Sequence, residues 1–390
     1  LNKQIFGTLF FSIFATVTGV GMVVPLLPVY AHHLGAGGLY IGMIFAAFSF
    51  SRTVFLPYFG RASDVRGRKP FIVIGLCAYA LISAAFILAR DVESLIILRF
   101  VQGIASAMIM PVVQAYVGDI TPAGMEGSVM GLFNMSMFTG LSLGPLIGGF
   151  IHDRFSLQSS FACMGLLALL GFLLSLFLLP PRRLERVVCQ SHPPLGWGPL
   201  LQDRPIAALF SFRFAYTACI GIIWGFLPVY ADARFSLSSS AIGILVMLGV
   251  LVSGLIHWPM GYLADRFNRR GLVVAGGLIV SGAVLSYALA DDFSGLLLCS
   301  LGFGIGGGLS MPALMAMGVA RGAKAKAMGS VMALLTMAHS TGMLAGSLLA
   351  GVMMEVSQLR YAFFLGALLM LFGCGLFVLV GKDELLKSEG

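Results

Sequence analysis

The chain has 390 residues, 58% of them hydrophobic and only 10% charged, with a mean hydropathy of +0.97. A soluble domain carries about 25% charged residues, so this composition excludes an ordinary soluble enzyme and points to a chain that lies mostly within a bilayer. The net charge of +8 would suit a nucleic-acid binder, but its distribution along the chain assigns it to membrane topology.

A helix needs roughly 20 apolar residues to cross the hydrocarbon core. Twelve such runs follow one another, at 5–31, 39–60, 70–89, 95–118, 127–151, 158–180, 206–231, 239–262, 271–290, 295–320, 328–353 and 360–381. The sequence therefore predicts an all-α membrane protein with twelve transmembrane helices. Too little chain is left over for a soluble catalytic domain. No Ser/His/Asp set, metal cluster or phosphate-cradling loop supports an enzyme, and no cofactor is expected. The first run is too long for a signal-peptide core and lacks a small-residue cleavage site, so it reads as a retained helix. It ends on Pro25, Pro28 and Tyr30, where proline predicts a kink. The same Pro-Val-Tyr in the seventh run predicts a matching one.

Between the second and third runs lies Gly60–Lys69, read GRASDVRGRK. Gly60 and Gly67 are expected to supply tight turns, and Asp64 is placed to meet the positive end of a nearby helix. Arg61 and Arg68 complete the charge cluster. A weaker copy, GYLADRFNRR from Gly261 to Arg270, carries Asp265 but has Asn268 in place of the second glycine.

The fourth run opens with Arg99, Gln102 and Gly103 in the stretch RFVQG. A charge near mid-depth is costly unless it faces a cavity or a partner. The fifth run carries Gly131, Gly140, Gly144, Pro145, Gly148 and Gly149, in the pattern G-x8-G-x3-G-P-x2-G-G. Gly140, Gly144 and Gly148 share one helix face, which lets another helix approach closely. Pro145 removes a backbone donor.

The two halves of the chain repeat. Leu-Pro-Val-Tyr-Ala at 27–31 returns at 227–231, Met110–Pro111 returns as Met311–Pro312, and Gly-Ser-Val-Met at 127–130 returns at 329–332. The offset stays between 200 and 202. Two parallel six-helix repeats imply a transporter with its substrate site near the midplane. The expected organisation is a first bundle at 1–180, a cytoplasmic linker at 181–205 rich in Pro and basic residues, and a second bundle at 206–390. The repeat is imperfect: Ser300 stands at the register of Arg99, and Ser347 replaces the proline after Gly346.

With both termini cytoplasmic, 17 Lys and Arg fall on inner segments and only Arg90, Arg154, Arg234 and Arg360 on outer ones. That bias sets the expected orientation. The six cysteines form no C-x-x-C pair, and neither a disulfide nor a metal site is expected.

These motifs carry a resemblance. Gly60–Lys69, the Arg99–Gly103 stretch and the glycine pattern of the fifth run resemble the major facilitator superfamily, and within it the twelve-helix drug–proton antiporters. The resemblance covers essentially the whole chain. It implies two pseudo-symmetric six-helix bundles working by alternating access in the cell inner membrane, as a monomer. It implies that Asp64 contacts the start of helix 11, near Ala327–Gly329, and that Arg99 lines the central cavity and serves proton coupling. It also implies that Gly140, Gly144, Pro145 and Gly148 belong to exporters that exchange substrate for protons.

One feature departs from that pattern. The ionisable residues inside the runs are Arg52, Arg99, Arg213, His257 and His339, and no Asp or Glu lies well inside any run. A net-positive cavity favours an anionic or zwitterionic amphiphile, held by Arg52 and Arg99 with Arg213 as a further candidate. His339 is the candidate proton carrier, because imidazole titrates near neutrality, whereas His257 reads as structural. Phe138 and Trp224 supply apolar lining. The expected function is proton-coupled export of amphiphilic small molecules. The alternative is a dedicated carrier for an anionic solute, such as an organic acid, a siderophore or a lipid head group.

Overall fold

The computed structural model describes residues 2–122, 125–180, 202–264, 268–324 and 328–380. The elements in order are α1 (Lys3–Val23), α2 (Leu26–His33), α3 (Gly38–Arg66), α4 (Arg68–Leu88), α5 (Val92–Ile120), α6 (Glu126–Arg154), α7 (Leu157–Leu178), α8 (Arg204–Phe235), α9 (Ser239–Ala264), α10 (Arg269–Leu289), α11 (Phe293–Lys324), α12 (Met328–Val356) and α13 (Arg360–Val380). With α1 and α2 counted as one span, twelve spans among the described residues are long and apolar enough to cross a membrane. Helix is the expected outcome, because a backbone surrounded by lipid must satisfy its N–H and C=O groups within its own segment.

The paired kinks differ from expectation. The first span breaks into α1 and α2 at Val24–Pro25, whereas α8 runs unbroken through Pro228. The cause is legible in the repeat: Pro25 has Gly225 as its counterpart, while Pro28 and Pro228 are shared. Two prolines within four residues break the first span, and one proline alone leaves α8 continuous.

The helices form two compact units. The first holds α1–α7 together with Pro228–Val250, the end of α8 and the start of α9. The second holds the rest of α8 and α9 with α10–α13.

In the first unit α1 packs between α6 and α7, α3 lies along α5, and α4 lies against α5 and α7. The α1–α6 contact is the closest reading of the glycine face. A Cβ on Gly140 would lie 3.0 Å from the Phe14 carbonyl oxygen, and one on Gly144 2.6 Å from that of Thr18. A Cβ on Gly148 would overlap the carbonyl of Met22. Phe14, Thr18 and Met22 are spaced four apart, so three successive turns of α6 rest directly on three turns of the α1 backbone. Phe86 and Phe161 stack with ring centroids 5.3 Å apart, and Tyr30 donates to the Ala89 carbonyl at 3.0 Å. In the second unit α10 packs on α11 and α13. Its core holds Phe212, Phe363 and Phe377, and Tyr287 shares a 2.8 Å hydrogen bond with Ser300.

Candidate functional site

In the first unit a polar cluster lies deep between α3, α4 and α5. Arg99 is 4% exposed, so its guanidinium does not reach a membrane surface. Its Nη1 donates to Gln102 Oε1 at 2.7 Å, its Nε lies 3.4 Å from the Ile44 carbonyl oxygen, and its Cζ stands 4.4 Å from the centre of the Phe48 ring. Gly103 permits this approach of α3 and α5, because a Cβ there would overlap Ser51 and the Phe48 carbonyl. Arg52 sits on the same face of α3, four residues after Phe48, and its buried Nε has no hydrogen-bond partner. Tyr79 on α4 is buried, with both arginines and Ser106 nearby. The structure thus brings Arg52 and Arg99 together around a phenol.

Nothing in the sequence had singled out Tyr79. A hydroxyl-bearing ring in an otherwise apolar run was the available signal, since a buried Tyr needs a polar partner for its hydroxyl.

Among the described residues, this cluster holds two cations against neutral groups alone. A glutamine oxygen, a carbonyl and aromatic faces stabilise a guanidinium less than a carboxylate does.

The second unit has a smaller counterpart. Arg213 on α8 is half-buried; its Nη1 lies 2.8 Å from the Met311 thioether, a weak acceptor, and its Nε is buried without a partner. Tyr216 stacks on Phe303 at 5.8 Å. His257 donates from Nδ1 to the Ser253 carbonyl at 2.6 Å, one turn back on its own helix. That bond is local to α9. Trp224 and His339 are half-buried on α8 and α12, and Phe138 is half-buried on α6.

The charged stretch after the second span is arranged differently from expectation. Gly60 makes no turn: α3 continues through it to Arg66, and the chain reverses at Gly67, with φ 90° and ψ 156°. The hydrogen-bond ladder of α3 runs through Gly60 and ends at Gly67, where the backbone takes the left-handed φ that glycine adopts without strain. Arg68, not Asp64, is the centre of the charge cluster. Its side chain is only 11% exposed and pairs with Asp64 and with Asp119 at 3.1 Å, while Nη1 donates to Ser63 Oγ at 2.8 Å. Asp64 is 60% exposed, and Arg61 is also exposed. Ala327, where the stretch expected to meet Asp64 begins, and the second-copy Asp265 lie outside the described residues. Asp119, the other partner of Arg68, came to light only in the structure.

A cavity of about 460 Å³ lies among Asn2, Ile5, Asp119, Thr121 and Pro180. It shares no residue with the arginine cluster, and its one carboxylate already serves Arg68. Five cysteines, Cys77, Cys163, Cys219, Cys299 and Cys374, are free thiols, and no group of His, Cys, Asp or Glu among the described residues could hold a metal ion.

Known proteins agree with this architecture. The family model described as Major Facilitator Superfamily matches residues 9–234 and 209–389. An uncharacterised MFS-type transporter of Methanocaldococcus jannaschii, MJ1560, is 27% identical over 360 residues, covering 91% of this chain and 92% of the relative. The quinolone resistance protein NorA of Staphylococcus aureus is 28% identical over 324 residues, covering 80% of this chain and 81% of NorA. Among solved structures, a variant of the nucleoside transporter NupG superposes with a TM-score of 0.82 at 14% identity, covering 97% of this chain and 100% of that one. With its twelve membrane-crossing spans and its repeated halves, this chain is a multi-pass membrane transporter of small molecules, a member of the major facilitator superfamily.

Proposed function

We propose that this transporter exports amphiphilic small molecules in exchange for protons. The observation that carries the reading is the α1–α6 seam, where the whole exporter glycine pattern is present and three of its glycines rest on the α1 backbone. The relationship to NorA along 81% of its length supports the same direction. In this reading the termini and the Arg68 cluster face the cytoplasm, following the bias of Lys and Arg along the chain. Arg68, Asp64, Gly60 and Gly67 hold the inner end, with Asp265 as the weaker second latch. Gly140, Gly144, Pro145 and Gly148 set the α1–α6 contact through the transport cycle. Arg52, Arg99, Arg213, Phe138 and Trp224 contact substrate, and the protein acts as a monomer.

His339 carries the proton in this scheme, and Arg99 is the further residue of proton coupling. Transport measured in everted vesicles between pH 6 and 8 tests this. The reading expects a steep pH dependence in the parent and a flat profile in His339→Ala. A parent profile that is already flat would refute it.

A second reading has its own observation. Arg52 and Arg99 lie together without a carboxylate, and Arg52 Nε is unpartnered. An anionic solute supplies what that cluster lacks. Equilibrium binding of an anionic and a cationic amphiphile separates the two. Selective loss of the anion in Arg52→Ala and Arg99→Ala favours the dedicated anion carrier. Unchanged anion binding in both variants removes it.

A further inference from the structure

The second unit gathers a polar cluster from three helices, and two glycines of α11 permit it. A Cβ on Gly307 would overlap the Tyr216 hydroxyl and lie 3.4 Å from Ser253 Oγ. A Cβ on Gly308 would lie 2.7 Å from Ile256 Cβ and 3.0 Å from the Ser253 carbonyl oxygen. Bare backbone at these two positions lets α8 and α9 meet α11 at one level. The Tyr216 ring also stacks on Phe303, one turn before Gly307, with the two planes 5° apart.

Arg213 continues the same seam. It lies three residues before Tyr216 on α8, and Met311 lies four after Gly307 on α11. The 2.8 Å approach of Arg213 Nη1 to the Met311 thioether is therefore the next turn of one antiparallel contact. A thioether is a weak acceptor, and Arg213 Nε has no partner. Packing fixes the guanidinium in place, while its donors suit the two oxygens of a carboxylate.

His257 of α9 completes the cluster. Its Nδ1 donates to the Ser253 carbonyl at 2.6 Å, and Arg213 is nearby. A carbonyl oxygen only accepts, so the neutral ring carries its proton on Nδ1 and a further proton goes to Nε2. Among the described residues, the charged and titratable neighbours of this ring and of Arg213 are Tyr216 and, one turn further along α8, Cys219. None of them is a carboxylate. Arg213 and His257 are both half-buried, so solute and protons reach them, whereas Tyr216 and Ser253 are buried.

A proton on His257 sets a second cation beside Arg213, and like charges oppose each other. A carboxylate seated on Arg213 offsets the first charge and attracts the second. Anion and proton therefore favour each other's binding, by the same factor in both directions.

We propose that Arg213 and His257 form one subsite, which takes the carboxylate of an amphiphilic anion on the guanidinium and one proton from water on His257 Nε2. The proposal rests on the second reading above, an anionic solute, and it makes the bound species a carboxylate together with its proton.

The purified full-length protein in lipid nanodiscs is titrated with phenylbutyrate, with the neutral phenylbutyramide as reference, and a pH-indicator dye in weak buffer measures the protons taken up. Phenylbutyrate is expected to bind with net proton uptake. Its affinity is expected to rise as the pH falls from 8 to 6, by up to about tenfold per pH unit when one proton is linked. The amide should show neither effect. His257→Gln keeps a donor for the Ser253 carbonyl and should still bind the anion, without proton uptake and with a flat pH profile. Arg213→Gln should lose the preference for the anion over the amide. Binding without proton uptake in the parent, or uptake that persists in His257→Gln, would overturn the proposal and leave the anionic solute standing. Unchanged anion binding in Arg213→Gln would do the same, and would leave Arg52 and Arg99 to hold the anion. A parent with no preference for phenylbutyrate over its amide would overturn the anion reading and the proposal with it. Should His257→Gln fail to fold, the pH profile of the parent decides, since a flat one overturns the proposal.

Discussion

Replacing Gly144 with alanine tests the α1–α6 seam in a way that its own motif controls. A Cβ at position 144 would lie 2.6 Å from the Thr18 carbonyl oxygen and 2.7 Å from Gly21 Cα. Ordinary contact begins at 3.4 Å, so the two helices must part by 0.8 Å, the difference between 3.4 and 2.6. Both obstacles are backbone atoms, which cannot rotate away. Overpacking of this kind costs about 1–3 kcal/mol. The strain also spreads, because Gly140 and Gly148 share the same line of contact. Gly131 belongs to the same sequence motif, but a Cβ there meets nothing within 4 Å. Alanine at that position adds no clash and relieves part of the glycine penalty, roughly 1 kcal/mol in a helix interior. Thermal unfolding of the purified protein, followed by tryptophan fluorescence, is expected to show Gly144→Ala well below the parent and Gly131→Ala at or above it. Equal behaviour of the two variants would refute the claim that close backbone contact is what these glycines are for.

Other expectations follow from the charged groups. Gln102→Leu removes the 2.7 Å acceptor of a guanidinium that is 4% exposed. A hydrogen bond to a charged group contributes about 1.5–3 kcal/mol, so thermal stability should fall by that order, while Gln102→Glu should retain the contact. Asp119→Asn should loosen the end of α5 more than Asp64→Asn does. The reason is exposure: Asp119 is 23% exposed and Asp64 60%, and solvent-exposed pairs contribute little. Proteolysis at the Gly67 turn measures the difference. The Asp91 carboxyl, which caps α5, is held below its ordinary range by hydrogen bonds from the Ser94 backbone and side chain. A depressed carboxylate stabilises above its unfolded-state value and loses that contribution as pH falls through its folded-state value. Hydrogen exchange in the first turn of α5, corrected for intrinsic rates, should therefore rise on acidification below the carboxylate range. Asp91→Asn should weaken this acid response.

Much of the fold was legible because membrane helices are dictated by length and apolarity. Spans predicted at 127–151 and 158–180 are α6, Glu126–Arg154, and α7, Leu157–Leu178. Their ends shifted by a turn or less: α6 runs on through the polar His152–Arg154, and α7 stops at Leu178, shortly before Pro180. Gly60 shows where local reading failed. A glycine is a turn signal only where the backbone needs a left-handed residue, and here Gly67 supplies it. Pairing between distant segments was less accessible. Arg68 and Asp119 are separated by 51 positions, and His33 and Asp232 by 199, so no spacing rule links them. The arginines of the candidate site were found as isolated charges in apolar runs, but their shared neighbour Tyr79 has no charge to betray it.

Proton flux from proteoliposomes containing the purified protein, challenged with a cationic dye and then with an anionic amphiphile, tests the central claim most directly. Substrate-evoked proton movement in the direction opposite to the substrate, lost in His339→Ala, is the predicted result. Transport of either compound without any accompanying proton movement would contradict the account.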